Sequence, residues 1–226
     1  MKERDFKINK INTSIRGIAL SLETSSTVFS PHGIDKGTLA MLSVAEITPD
    51  DKVLDLGCGY GIVGIYAAKI IDNAIINCLP SDINPSTVDP KLTGYGEKNV
   101  VMSDIDDECV YLSKKNAETN NVGGIKTILS DGFKDIHEND FTLILLNPPY
   151  HVDFAVPKHL IEKSFNRLQV GGKMYMVTKR KQWYKNKLTA IFGGVKVYEI
   201  DGYYVFCAQK RSASYANKKP RQKADK

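Results

Sequence analysis

The chain has 226 residues, 42% of them hydrophobic and 25% charged, with a net charge of +5, enough for one full-sized globular core and too little for two. Its longest apolar runs, Ile62 to Ala68 and Leu143 to Leu146, fall short of the roughly 18 residues of a bilayer-spanning helix, which excludes a membrane span. The opening Met1-Lys2-Glu3-Arg4-Asp5 lacks an apolar signal region, and Cys58, Cys78, Cys109 and Cys207 form no C-x-x-C pair. These features predict a cytoplasmic protein with reduced thiols, no disulfide framework and no zinc cluster.

Residues 1–48 read as a leader into the main domain. Ile18 to Leu22 and Val28-Phe29 look like short strands, and Asp35 can cap a helix from Lys36 to about Ile47 with Leu39, Leu42 and Val44 on its apolar face. From 49 to 209 short buried runs alternate with helical segments. Strands are predicted at Val53 to Leu56, Val100 to Asp104, Ile125 to Leu129, Phe141 to Leu146 and Lys173 to Val177. Helices are predicted at Ile62 to Ile71, Asp107 to Asn120, around Lys158 to Leu168, and Gln182 to Phe192. This alternation implies an α/β fold, a mostly parallel sheet covered on both faces. Val195 to Ile200 and Tyr203 to Ala208, turned at Asp201-Gly202, read as a closing hairpin that adds an antiparallel strand. Residues 72–98, with Pro80, Pro85 and Pro90, have no clear period and read as an inserted loop at the sheet's amino-terminal edge, away from any ligand. The segment 210–226 holds Lys210, Arg211, Lys218, Lys219, Arg221, Lys223 and Lys226 against Asp225, a disordered basic tail that either solubilises the chain or seeks phosphates.

Asp55-Leu56-Gly57-Cys58-Gly59-Tyr60-Gly61 follows a buried strand and opens a helix. Glycines there let the backbone turn sharply and approach a ligand, with free helix-terminal amides behind them. Gly59 to Gly64 also fits the G-x-G-x-x-G of dinucleotide enzymes, a weak match by itself. A carboxylate just ahead of the loop would repel a pyrophosphate, whereas Asp55 suits the ammonium group of S-adenosylmethionine. Asp104, ending a strand with Ile105 beside it, can accept both ribose hydroxyls; the competing reading is that Asp104 or Asp106 only caps the helix from Asp107. Asp131 in Ser130-Asp131-Gly132 can contact the adenine amine or simply make a turn.

Asn147-Pro148-Pro149-Tyr150 follows the apolar strand ending at Leu146. The prolines fix the backbone and push Asn147 toward an extended conformation. A side-chain oxygen and the Pro148 carbonyl can then accept the protons of an exocyclic or amide nitrogen and turn its lone pair toward a methyl carbon, while Tyr150 offers a stacking face. A rigid turn is the plainer reading of a double proline.

These motifs resemble the class I S-adenosylmethionine-dependent methyltransferases, and more narrowly the small methyltransferase domain of the RsmC-like ribosomal RNA guanine methyltransferases. The resemblance runs from Phe29 to Lys210. It includes Phe29-Ser30-Pro31-His32-Gly33-Ile34-Asp35-Lys36-Gly37-Thr38, Asp55 to Gly61, Asp104, Asn116 and Asn147-Pro148-Pro149-Tyr150-His151. It implies a Rossmann-like, doubly wound seven-stranded sheet, S-adenosyl-L-methionine as cofactor and guanine N2 of ribosomal RNA as acceptor. Cofactor binding then falls to Asp55, Gly57, Cys58, Gly59, Gly61, Asp104, Ile105, Asp131 and Asn147, and catalysis to Asn147, Pro148, Pro149 and Tyr150. The stretch between Asp55 and Asp104 is about twice the family's usual length, and the second, degenerate domain of longer members is missing from this sequence.

Lys179-Arg180-Lys181-Gln182-Trp183 follows a strand and joins cations to aromatic rings, as unpaired RNA requires. The equal alternative is a solvated helix start with Trp183 in the core. With Tyr150 and His151 these residues form the expected substrate surface. His32, His137 and His159 lack metal-ligand spacing, so no metal is expected. Adenine or a protein glutamine as acceptor, an NAD(P)-dependent oxidoreductase, and an RNA-binding module with a vestigial site are the competing readings.

Overall fold

The computed structural model describes residues 7–77, 99–149 and 153–216. Strands β1 (Ile8–Ile15) and β2 (Ile18–Ser25) form an antiparallel hairpin, followed by helix α1 (Lys36–Val44). The main sheet then alternates with helices: β3 (Val53–Leu56), α2 (Ile62–Asn77), β4 (Val100–Asp104), α3 (Asp107–Thr119), β5 (Lys126–Leu129), β6 (Phe141–Leu146), α4 (Ala155–Arg167), β7 (Leu168–Thr178) and α5 (Gln182–Phe192). It closes with the hairpin β8 (Lys196–Ile200) and β9 (Tyr203–Gln209).

The sheet has seven strands in the order β5-β4-β3-β6-β7-β9-β8, all parallel except β9, which runs antiparallel to both neighbours. Apolar residues alternate between its faces, as the two-residue period of a strand requires. Val53, Leu143 and Leu145 join one core cluster with α2 and α3, while Leu54, Leu56, Ile144 and Leu146 join the other with α4 and α5. Leu56 lies level with Ser103 on β4 and with Leu146 on β6, so three strands release their loops side by side. The chain winds outward from β3 through β4 to β5, then returns to β3's other flank with β6. That reversal opens a crevice at the carboxyl ends.

The amino-terminal hairpin is fastened to α3 by side-chain amides. Asn116 accepts the Glu23 N–H at 2.7 Å and donates to the Glu23 carbonyl at 2.7 Å; Asn120 does the same for Ser21 at 3.1 and 2.7 Å. Four helical residues rise about 6 Å and two strand residues about 6.7 Å, so the two amides keep step with alternate residues of β2. Asn116 also donates to the Tyr60 carbonyl at 2.8 Å, tying the hairpin to the glycine loop. Glu108, buried in the first turn of α3, accepts from the hydroxyls of Ser25 and Thr27.

Several elements differ from the sequence expectation. Val28-Phe29 is not a strand; β2 instead pairs with β1, in which Ile8, Ile11 and Ile15 do not recur at every second residue. Helix α1 ends at Val44, where Ala45 turns to extended backbone. Helix α2 continues to Asn77, past the predicted end at Ile71, so the inserted loop does not begin at 72; residues 78–98 lie outside the described part. Helix α4 starts three residues before Lys158, because Pro157 sits in the first turn, where its missing N–H costs nothing. Within 210–216, assigned by sequence to a disordered tail, Lys210 and Tyr215 are held against the domain while Arg211 to Ser214 are exposed. Lys210 is 8% exposed and donates to the Leu168 carbonyl at 2.6 Å, and Tyr215 meets the Phe165 ring edge-on at 4.9 Å. Lysine's alkyl stem and a carbonyl acceptor make that burial tolerable. Among the described residues no helix is long and apolar enough to cross a membrane.

Candidate active site

The loops leaving β3, β4, β5 and β6 surround a cavity of about 560 Å³. β3 is buried along its whole length, and Asp55 is 3% exposed with Oδ2 accepting the Gly64 N–H at 2.8 Å. Burial drives its pKa up, the Gly64 bond opposes this, and the charge of Asp104 adds to the rise; the result is about 7, against the ordinary 3.8. A carboxyl poised this way gains most from a cation brought into the cavity.

Gly57, Gly59 and Gly61 take φ values of +73°, +54° and +92°, where a Cβ is disfavoured. Their surroundings separate them. Beside Gly57 and Gly59 a Cβ would meet nothing within 4 Å, and both residues line the cavity. A Cβ on Gly61 would lie 2.8 Å from Ser113 Cβ, and Gly61 is not part of the cavity wall. Gly61 instead lets α3 pack against the glycine loop. Gly64 has a similar task, since its Cβ would crowd Met102 at 2.5 Å.

Asp104 and Asp106 both border the cavity and differ in the backbone groups they hold. Asp106 caps α3, accepting the Glu108 N–H at 2.8 Å. Asp104 stands on the cavity wall and accepts the N–H groups of Gly59 at 2.8 Å and Asp106 at 3.0 Å, which aims its carboxylate across the glycine loop. Ile105, 67% exposed, forms an apolar rim, and Asp131 follows β5 on the same wall. Cys58 also lines the cavity, its thiol pKa held well above normal by burial.

Asn147, Pro148 and Pro149 form the wall beyond β6. The Asn147 amide nitrogen donates to Asp35 Oδ2 and to Thr38 Oγ1, each at 2.9 Å. Asp35 is the expected N-cap of α1, accepting the Thr38 N–H at 2.8 Å through the same oxygen. Both residues border the cavity, as do Thr27, Val28, Phe29 and Ser30 from the segment after β2. The sequence reading names none of these as site residues, although Phe29, Ser30, Asp35 and Thr38 all fall in the segment that carried the resemblance. Tyr150 and His151 lie outside the described residues.

The basic segment after β7 starts on the same sheet edge without lining the cavity. Lys179 lies 5.1 Å from the Tyr203 ring, Arg180 5.1 Å from Phe154, and Lys181 4.9 Å from Tyr204, with Glu199 as ion partner at 3.3 Å. Trp183 is half-buried and stacks on Phe154 with centroids 4.6 Å apart, so it is neither a free platform nor a core residue. Among the described residues no cluster of three His, Cys, Asp or Glu side chains could hold a metal ion.

The fit to S-adenosylmethionine is chemical. The cavity wall offers the buried carboxyl of Asp55, a loop whose Gly57 and Gly59 positions leave open space, and the half-buried carboxylate of Asp104 beside the apolar rim of Ile105. Fold and site define an S-adenosylmethionine-dependent methyltransferase, and the chain belongs to the methyltransferase small domain family, matched over residues 19–89 and 91–207. Among its relatives it is 29% identical to YbxB of Bacillus subtilis strain 168 over 202 residues, 87% of this chain and 89% of that protein. It is 28% identical to ribosomal RNA small subunit methyltransferase C of Pseudomonas putida strain W619, over 81% of this chain and 49% of that one. With ribosomal RNA large subunit methyltransferase G of Klebsiella pneumoniae strain 342 it shares 26% identity over 78% of this chain and 43% of the relative. It thus spans about half the length of these two ribosomal RNA methyltransferases. The fold superposes on the Thermus thermophilus 16S rRNA N2 G1207 methyltransferase, solved with AdoMet and guanosine, with a TM-score of 0.70 and 23% identity, covering 92% of this chain and 52% of that one.

Proposed function

We propose that the chain transfers a methyl group from S-adenosylmethionine to an exocyclic amine of a base in ribosomal RNA, guanine N2 foremost, in the cytoplasm. The observation that carries this reading is that Asn147-Pro148-Pro149 and the Asp55-to-Gly59 loop are walls of one cavity. A methyl donor held by the loop and an amine held by Asn147 would meet there. The names of the relatives supply the RNA class. Family membership removes the oxidoreductase reading of Gly59 to Gly64.

S-adenosylmethionine, when bound, supplies an electrophilic methyl carbon on a sulfonium. Asp55 holds the ammonium of its methionine part, the Gly57-Cys58-Gly59 backbone lets it approach, Asp104 accepts the ribose hydroxyls, and Ile105 and Asp131 flank the adenine. Asn147 and the Pro148 carbonyl accept the N–H groups of the target amine and free its lone pair. Tyr150 and His151 hold the base, and Lys179, Arg180 and Lys181 steer the RNA by charge, with Trp183 packed on Phe154 beneath them.

The test is Asn147→Ala. The variant should fold and bind S-adenosylhomocysteine within a few-fold of the parent, and its single-turnover methyl transfer to ribosomal RNA from cells lacking the protein should fall about a hundredfold. Transfer at parental speed would remove the amine chemistry. Mass spectrometry of nucleosides from those cells should show one N2-methylguanosine position lost; an unchanged profile would remove the substrate assignment.

A further inference from the structure

We infer that Asp35, assisted by Thr38, is a positioning residue that fixes which end of the Asn147 amide faces the target amine; this rests on the methyl-transfer reading above. The two ends of an asparagine amide have nearly the same shape and opposite hydrogen-bonding sense. With its oxygen toward the cavity, Asn147 accepts from the target amine. Turned by half a rotation, it would present N–H groups to N–H groups and oppose the reaction.

The surroundings of the other end decide the matter. Asp35 Oδ2 lies 2.9 Å from the amide nitrogen, and an ionised carboxylate accepts only, so the end that faces it must be the donor. The second N–H of that end meets Thr38 Oγ1, also at 2.9 Å. The Thr38 hydroxyl in turn lies 3.5 Å from the same carboxylate oxygen, which leaves its lone pairs for Asn147. A flipped Asn147 would place its oxygen against the negative charge. Asp35 is itself fixed by the Thr38 N–H at 2.8 Å as the cap of α1, and α1 packs against β7 and β9. Helix capping needs no partner 112 residues away; the contact with Asn147 is a second task for the same oxygen.

Serine is as good an N-cap as aspartate but too short to reach Asn147. Asparagine keeps both the cap and an acceptor at the right length. Asp35→Ser should therefore melt within about 2 °C of the parent, bind S-adenosylhomocysteine within twofold, keep its KM for RNA, and transfer methyl at least tenfold more slowly in single turnover. Asp35→Asn should restore the rate to within about threefold. In the ligand-free protein, nitrogen-resolved NMR should show the Asn147 side-chain protons protected from solvent exchange in the parent and in Asp35→Asn, and exposed in Asp35→Ser. Parental transfer by Asp35→Ser, or equal exchange in all three proteins, overturns the inference. If Asp35→Ser fails to fold, Thr38→Val, which removes one acceptor and leaves the cap, should slow transfer about threefold or more; a parental rate there overturns it as well. A slow Asn147→Ala beside a fast Asp35→Ser removes only the positioning role, whereas a fast Asn147→Ala removes the methyl-transfer reading and this inference together.

Discussion

Asp55 should make cofactor binding depend on pH near neutrality. Its carboxyl is almost fully buried and, with no cation beside it, titrates at about 7. Only the ionised form attracts an ammonium group, so binding must expel whatever proton is present. With that pKa, about a tenth of the carboxyl is ionised at pH 6 and about three quarters at pH 7.5, so affinity for S-adenosylhomocysteine should rise about eightfold across the interval. Calorimetry in two buffers of different ionisation enthalpy should show close to one proton released per ligand at pH 6 and a small fraction at pH 7.5. Asp55→Asn should bind more weakly throughout and lose both the slope and the proton release. The same group acts on stability with a fixed sign. The folded pKa lies above the unfolded one, so the folded chain holds the extra proton, and ligand-free stability falls as pH rises from about 4 to about 7. The gap corresponds to about 4 kcal/mol, which Asp55→Asn should flatten. Affinity that stays level from pH 6 to 7.5, with no buffer-dependent heat, would refute the assignment of Asp55 to the ammonium.

Three further outcomes follow from the geometry. Gly61→Ala should lose about 2–4 kcal/mol of stability from strained φ and the Ser113 clash, measured by urea unfolding, with ligand affinity falling no further than stability accounts for; Gly59→Ala should lose about 1 kcal/mol and most of its affinity. Asp106→Ala should cost about 1 kcal/mol as a lost cap and leave cofactor affinity alone, while Asp104→Ala should weaken affinity about tenfold or more in calorimetry, for loss of charged acceptors. Deleting 217–226 should leave the melting temperature unchanged and flatten the salt dependence of RNA binding, whereas deletion from Lys210 should also remove its bond to Leu168 and the Tyr215 contact and lower the melting temperature by several degrees.

Where one local rule decides an element, the sequence shows it. β3, β6 and α5 have the predicted bounds because short, mostly apolar runs stop before Gly57 and Asn147 and an apolar helical face stops before Gly193. β7, expected over Lys173 to Val177, runs from Leu168 to Thr178 through Gly171-Gly172. The register shifts between Phe141 and Leu143, and Gly172 comes so near that a Cβ would stand 2.9 Å from the Phe141 carbonyl. The cavity shows the same division. Asp55 and Asp104 lie at the carboxyl ends of β3 and β4, and Gly57, Gly59 and Asn147 in the loops after β3 and β6, so all five could be placed by topology. Asp35 could be read as a cap, but its hold on Asn147 spans the chain, and no periodicity reports a contact of that kind. Phe154 was missed for the same reason: its ring matters only because Trp183 and Arg180 fold onto it.

The paired asparagines of α3 do more than anchor the hairpin. A two-stranded sheet has two open edges, and each is a template on which another chain can add a strand. On the β2 edge the N–H and C=O groups of Ser21 and Glu23 are already taken by Asn120 and Asn116. The helix thus imitates a neighbouring strand with two side chains and closes the β2 edge to self-association, while β1 carries Lys10, Asn9 and Asn12.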